Sequence, residues 1–169
     1  MKKQQSGFTL VELVAVIVLL GILSVVALPR FVNLQSDARI AVLSGINGAV
    51  KGANVQIYAK SLISGVESID GDDASNPQID RDGDGADDTA VSFGYVETTA
   101  LGDVIDLDAS LVIAPSGGGA AAAGDTTIMI GYDTNEDGDV VDDECYVTYT
   151  EAADAATPAT ISTTDTDNC

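Results

Sequence analysis

From Phe8 to Leu28 the chain is almost wholly apolar, broken by one charged residue, Glu12, close to its start. As a helix these 21 residues rise about 30 Å, enough to cross the hydrocarbon of a bilayer. Pro29 and Arg30 close the stretch, and a different pattern follows. Leu34, Ala38, Ala41, Gly45, Ala49 and Ala53 recur at steps of three and four, and Ile46, Val50 and Ile57 extend the stripe. Gln35, Asp37, Arg39, Asn47, Lys51 and Lys60 fall largely elsewhere. This predicts an amphipathic helix over 29–63. Pro29 need only kink it, so residues 8–63 can form one long helix. Gly45, Gly48 and Gly52 weaken that helix by about 1 kcal/mol each relative to Ala, and close packing against them is the expected compensation.

After Ser64 the periodicity stops, and the chain is rich in Gly and Asp to about Ala90, which predicts a long loop. Four runs then read as strands: Val91–Glu97, Ala109–Pro115, Thr126–Tyr132 and Cys145–Thr150. Each is β-branched or aromatic and bounded by Gly, Pro or Asp. The run SGGGAAAAG at 116–124 reads as a flexible connection, and the tail PATISTTDTDNC as a polar extension. The expected class is α+β, with a long N-terminal helix packed against an antiparallel sheet of about four strands.

Charge sharpens this division. Only Glu12 and Asp37 are acidic before residue 64, whereas from Ser64 onward 25 acids face one base, Arg81. A domain carrying such charge repels itself and nucleic acid, stays soluble and attracts cations. Lys2 and Lys3 ahead of the apolar run favour an N-terminus held in the cytoplasm, with the acidic part outside. No A-x-A site follows the run, so removal of that segment is not expected. The absence of histidine removes the usual general base and the commonest zinc ligand, and no nucleophile–base pair or glycosidase-like carboxylate pair is legible. No enzyme is expected. Two late cysteines, Cys145 and Cys169, in an exported, loop-rich region predict a disulfide that staples the tail.

Two acidic loops have calcium-like spacing. Asp133–Glu144, DTNEDGDVVDDE, fits D-x-[DN]-x-[DN]-G-x5-E. Asp133, Asn135 and Asp137 supply side-chain oxygens, and Gly138 permits the turn. Asp139 ligates through its carbonyl, Val140 pins the loop, and Glu144 takes the bidentate position. Asp80–Asp88, DRDGDGADD, is shorter. Asp80, Asp82 and Asp84 alternate, Gly85 allows the turn, and Asp88 stands in for the acid missing at Val91. Hard oxygen donors favour Ca2+ over softer metals, whereas the opposing reading is a plain solvated acidic surface.

The segment Gly7-Phe8-Thr9-Leu10-Val11-Glu12 resembles the processing motif of type IV pilins. A short basic leader (residues 1–7, MKKQQSG) ends in Gly, and Phe, then Thr-Leu-Val-Glu, then a continuous apolar helix follow. Gly21, Pro29 and the C-terminal cysteine pair also resemble the family. The helix and head layout look most like the pilin of mannose-sensitive haemagglutinin pili. The resemblance implies that a prepilin peptidase cuts between Gly7 and Phe8 and that the new amine of Phe8 is methylated. Subunits then wait in the inner membrane with the head in the periplasm, until an ATP-driven assembly machine moves them into a helical homopolymer outside the cell. The implied layout is leader 1–7, membrane and filament-core helix 8–28, amphipathic helix 29–63 and acidic head 64–169. Such fibres serve attachment, biofilm growth and motility.

A lone carboxylate in hydrocarbon is costly unless protonated or paired. Glu12 is therefore expected to pair with the Phe8 amine of a neighbouring subunit and to set the register of the polymer. The alternative is a pseudopilin of a type II secretion system. That reading shares the leader, Glu12 and the apolar helix, and the acidic loops favour it, but the cysteine pair opposes it.

Overall fold

The computed structural model describes residues 8–71, 77–115, 125–166 and 169. The run at 116–124 lies outside them. The chain divides into two compact units, Met1–Ala38 and Arg39–Cys169. One helix, α1 (Leu10–Ser64), contributes to both and runs through Pro29 without interruption.

Every residue from Phe8 to Ala27 is exposed. The window Leu10–Ala27 is long and apolar enough to cross a membrane, and none of its residues is buried. Its one hydroxyl beyond the first turn is satisfied locally, Ser24 Oγ donating to the Leu20 carbonyl at 2.7 Å. That backbone acceptor spares the helix an unpaired polar group in lipid.

In the second unit α1 buries Leu43, Ile46, Val50, Asn54, Ile57 and Ser61. This face differs from the expected stripe. Ile46, Val50 and Ile57 belong to it, but Leu34 is 67% exposed, and Ala38, Ala41, Gly45 and Ala49 also face outward. The buried face carries Leu43, Ile46, Val50 and Ile57, whose branched side chains remove more apolar area from water than Ala or Gly, while Val42 and Val55 stay exposed. A Cβ added at Gly45, Gly48 or Gly52 would meet nothing within 4 Å. Among the described residues, the close packing expected at these glycines is therefore not made.

Among the described residues, seven strands follow in two sheets. β1 (Gln78–Ile79), β2 (Thr89–Ser92) and β3 (Tyr95–Val96) form a small antiparallel sheet. A 3-10 turn (Thr98–Ala100) and a short helix, α2 (Leu101–Val104), lead to the larger sheet. There β4 (Leu111–Pro115), β5 (Thr127–Tyr132), β6 (Tyr146–Thr150) and β7 (Thr160–Asp165) pair antiparallel in sequence order. The expected strand at Val91–Glu97 is a hairpin. Phe93 (φ 48°) and Gly94 (φ 80°) form a two-residue turn with both φ positive, the twist that matches paired strands. The polar tail contains β7, whose Ile161 lies opposite Tyr149 and enters the core.

Helix and sheets share that core, in which Leu43, Val50 and Ile57 join Val91, Ile130 and Tyr149. Hydrogen bonds fix the arrangement. Asn54 Oδ1 accepts the Val96 N–H at 3.2 Å, the Tyr149 hydroxyl donates to the Val96 carbonyl at 2.6 Å, and Ser61 Oγ donates to the Gly94 carbonyl at 3.2 Å. Burial pushes the Tyr149 phenol well above its usual range, against an opposing hydrogen bond from Asn54. It stays a neutral donor at any physiological pH.

Gly131 on β5 is pressed against the start of β6. A Cβ there would lie 2.5 Å from the Cys145 carbonyl oxygen and 2.6 Å from Tyr146 Cβ. Gly131→Ala is therefore expected to destabilise the head by about 1–3 kcal/mol, as overpacking does. Urea unfolding of the full chain in detergent measures this, and an unchanged midpoint would contradict the packing described.

Candidate assembly site and metal loops

Gly7 lies outside the described residues. Phe8 stands 87% exposed just ahead of α1. The first four N–H groups of a helix have no partner within it, a serious defect in lipid. Here Thr9 and Glu12 satisfy two donors reciprocally. Glu12 Oε2 accepts the Thr9 N–H at 2.9 Å and the Thr9 hydroxyl at 2.8 Å, while Thr9 Oγ1 accepts the Glu12 N–H at 3.3 Å. The Thr9 carbonyl accepts the Leu13 N–H at 3.2 Å, the first bond of the helix. Thr9 is thus the N-cap and Glu12 the third helical residue of a capping box. The signal, Thr-x-x-Glu before an apolar run, was legible in the sequence. Reading Glu12 as a lone carboxylate missed Thr9.

The Asp80 loop brings its acids together. One carboxylate oxygen from each of Asp80, Asp82 and Asp84 lies within 4.8 Å of the others. Two oxygens on one calcium ion, each bound at roughly 2.3–2.6 Å, are at most about 5 Å apart, so the three fit a shared cation. Backbone donors shape the loop. Asp80 accepts the Gly83 and Gly85 N–H groups at 2.6 and 3.0 Å, Asp82 accepts that of Asp84 at 3.2 Å, and Asp84 accepts that of Ala86 at 2.8 Å. Gly83 and Gly85 hold φ of 88° and 94°, which the loop needs and side chains resist. The Gly83 N–H, with those of Gly85 and Asp84 and the nearby Lys60 charge, holds the Asp80 carboxyl below its usual range. Lys60 Nζ donates to the Asp80 carbonyl at 2.8 Å, tying the loop to α1. Asp88 stands apart from the cluster and accepts from Thr89 Oγ1 at 3.3 Å.

The Asp133 loop closes on itself instead. Asp133 accepts from the Asp137 and Gly138 N–H groups at 3.3 and 2.8 Å. The Asn135 amide donates to Asp137 at 3.2 Å and to Asp142 at 3.0 Å. Asp137 and Asp139 each accept an N–H two residues on, at 2.9 Å. Asp143 accepts from both the N–H and the hydroxyl of Thr134. Gly138 takes a positive φ of 86° as the turn requires, and Val140 is fully buried beside Ala114 and Tyr146. Glu144 is exposed. Among the described residues, the three-carboxylate convergence occurs at Asp80, Asp82 and Asp84 and not in this loop.

Cys145 and Cys169 are bonded, with Cα atoms 4.9 Å apart. Arg39 completes the closure of the tail. Its Nη1 donates to the Cys169 carbonyl at 3.3 Å, and its guanidinium lies 5.0 Å over the Tyr132 ring. Nothing in the spacing of the sequence marked Arg39 for this role, because its partners lie more than 90 residues away.

Residues 2–28 match the prokaryotic N-terminal methylation motif. Over 83 residues the chain is 32% identical to the type II secretion system core protein G of Pseudomonas aeruginosa, covering 46% of this chain and 58% of that protein. Over 47 residues it is 49% identical to the type IV narrow pilus major component of Thermus thermophilus, covering 28% of this chain and 40% of that protein. The chain thus spans roughly half the length of these two relatives. The match to the type IV major fimbrial protein of Dichelobacter nodosus is longer, 31% identical over 126 residues, covering 73% of this chain and 78% of that protein. No solved structure matches the chain.

The disulfide encloses a segment of sequence separation 24, for which loop entropy gives about 3.5 kcal/mol. Replacing both cysteines by serine is expected to lower stability by about that amount, read from denaturant unfolding of the full chain in detergent. A double variant as stable as the parent would contradict the stapling role.

Proposed function

Because the chain belongs to the type IV pilin family, with a fimbrial relative matched over 78% of its length, we propose that it is the structural subunit of a type IV pilus. The observation that carries this reading is the exposed apolar helix Leu10–Ala27, opened by Glu12 and joined to a head with its own buried core. Residues 1–7 are the leader, a prepilin peptidase cuts between Gly7 and Phe8, and the Phe8 amine is methylated. Residues 8–28 anchor the subunit in the inner membrane with the head in the periplasm, and they form the filament core after assembly by the inner-membrane machinery. Residues 29–63 carry the acidic head, 64–169, on the outside of an extracellular fibre for attachment, biofilm growth and motility. The layout of helix and disulfide-closed head supports the narrower placement beside the pilins of mannose-sensitive haemagglutinin pili. The role is structural rather than catalytic.

Assembly rests on Glu12. In a helical polymer the Phe8 amine of one copy meets Glu12 of the next, and two desolvated opposite charges offset their cost only in the right register. Methylation keeps the charge on that amine. A pseudopilin role is the second reading, favoured by the similarity to the secretion protein of Pseudomonas aeruginosa and opposed by the Cys145–Cys169 bond.

We assign Ca2+ to Asp80, Asp82 and Asp84, with weak affinity on the order of 10⁻⁴ to 10⁻³ M, as in extracellular modules. Asp133, Asn135, Asp137, Asp139 and Glu144 are a second calcium candidate by spacing. Millimolar calcium is expected to raise the melting temperature of the full chain in detergent, and Asp82→Asn to remove most of that rise. Identical melting in calcium and in chelator would contradict the assignment. Glu12→Ala is expected to leave the subunit processed and membrane-bound while abolishing sheared filaments. Filament yield equal to wild type would contradict the assembly role of Glu12.

A further inference from the structure

Glu12 is half committed before any second copy arrives. Its Oε2 accepts both donors of Thr9, the N–H at 2.9 Å and the hydroxyl at 2.8 Å. Among the described residues Oε1 has no partner. The Thr9 N–H belongs to the Phe8–Thr9 peptide bond, so both contacts survive removal of a leader before Phe8. They also strengthen in lipid, where water does not compete for the donors.

Thr9 does two separable things. As a cap, its Oγ1 accepts the Glu12 N–H at 3.3 Å. As a donor, its hydroxyl proton holds Oε2. An unrestrained Glu side chain samples many rotamers, and fixing it before the encounter removes that entropy from the docking step.

We infer that Thr9 is a positioning residue for assembly: its hydroxyl holds Oε2 of Glu12, so that Oε1 is left, in a fixed place, to accept from the amine of a second copy of this chain. This rests on the reading of Glu12 as the contact between copies. It adds that the contact is prepared within each subunit by its neighbour in sequence.

Capping and positioning are separated by substitution. Glycine is nearly as good an N-cap as threonine but has no hydroxyl, serine keeps both functions, and valine keeps only the shape. Full-length Thr9→Ser, Thr9→Gly and Thr9→Val are expressed in cells that assemble the wild type, alongside Glu12→Ala. Only subunits whose intact mass begins at Phe8 are counted, as the ratio of sheared filament to inner-membrane pool. Helicity of each purified chain in detergent reports the cap.

Thr9→Ser is expected within about twofold of wild type. Thr9→Gly and Thr9→Val are expected to fall about tenfold, the scale of one hydrogen bond to a charged group, with helicity of Thr9→Gly unchanged. Assembly of Thr9→Gly at the wild-type ratio would overturn the inference and reduce Thr9 to a helix cap. Failure of Thr9→Ser alongside Thr9→Val would overturn it as well. In both cases a block in Glu12→Ala leaves the Glu12 reading standing. Normal assembly of Glu12→Ala overturns that reading and this inference together.

Discussion

The exposed apolar surface of Leu10–Ala27 has to be covered, and by something outside its own fold. Each Å² of such surface left in water costs about 25 cal/mol, so this segment is stable only in lipid or against other apolar helices. The exchange between those two environments is close to neutral, since lipid tails are as apolar as leucine. In a polymer of such helices, register and direction would have to come from the few polar groups in the segment. Ser24 is satisfied within the helix. Thr9 and Glu12 remain, clasped at the end where helical N–H groups lack partners. The chemistry of the whole chain converges on that first turn.

The head works under an opposite constraint. With 25 acids and one base beyond Ser64, copies crowded together repel one another, and the compact state itself is strained by like charge. Much of that charge is organised by backbone donors. Asp80, Asp133 and Asp137 each bend a loop by accepting N–H groups a few residues on. In the Asp80 loop this gathers three carboxylates, an arrangement that a divalent cation would relieve. A cation bound there would act in the same direction as the Cys145–Cys169 bond, holding an acidic, loop-rich head together around a modest core.

How far the sequence could be read depended on whether a signal was local. The long helix was legible because a helix-spaced apolar stripe follows the apolar run directly and Pro29 need only kink it, and the disulfide because two cysteines have few alternatives. The buried face was misjudged because Ala38, Ala41, Gly45 and Ala49 keep helical spacing as faithfully as Leu43, Ile46 and Val50. Spacing alone does not say which of two such faces meets the sheets. The hairpin at Phe93-Gly94 was hidden because its first turn residue is aromatic, where Asn or Asp is the usual cue. β7 was hidden because Thr and Ser make it polar, although its pairing to β6 depends on the backbone and on Ile161. The clasp between Thr9 and Glu12 was fully local, and attention to the charge of Glu12 obscured its geometry. Arg39 lay beyond sequence reasoning, since it is the fold that brings Tyr132 and Cys169 to it.

The most direct test of the account is the intact mass of this protein in the fraction sheared from whole cells. The account predicts one dominant species that begins at Phe8, carries one added methyl and has lost two hydrogens to the Cys145–Cys169 bond. A sheared species that still begins at Met1, or a processed species confined to the inner membrane, would contradict it.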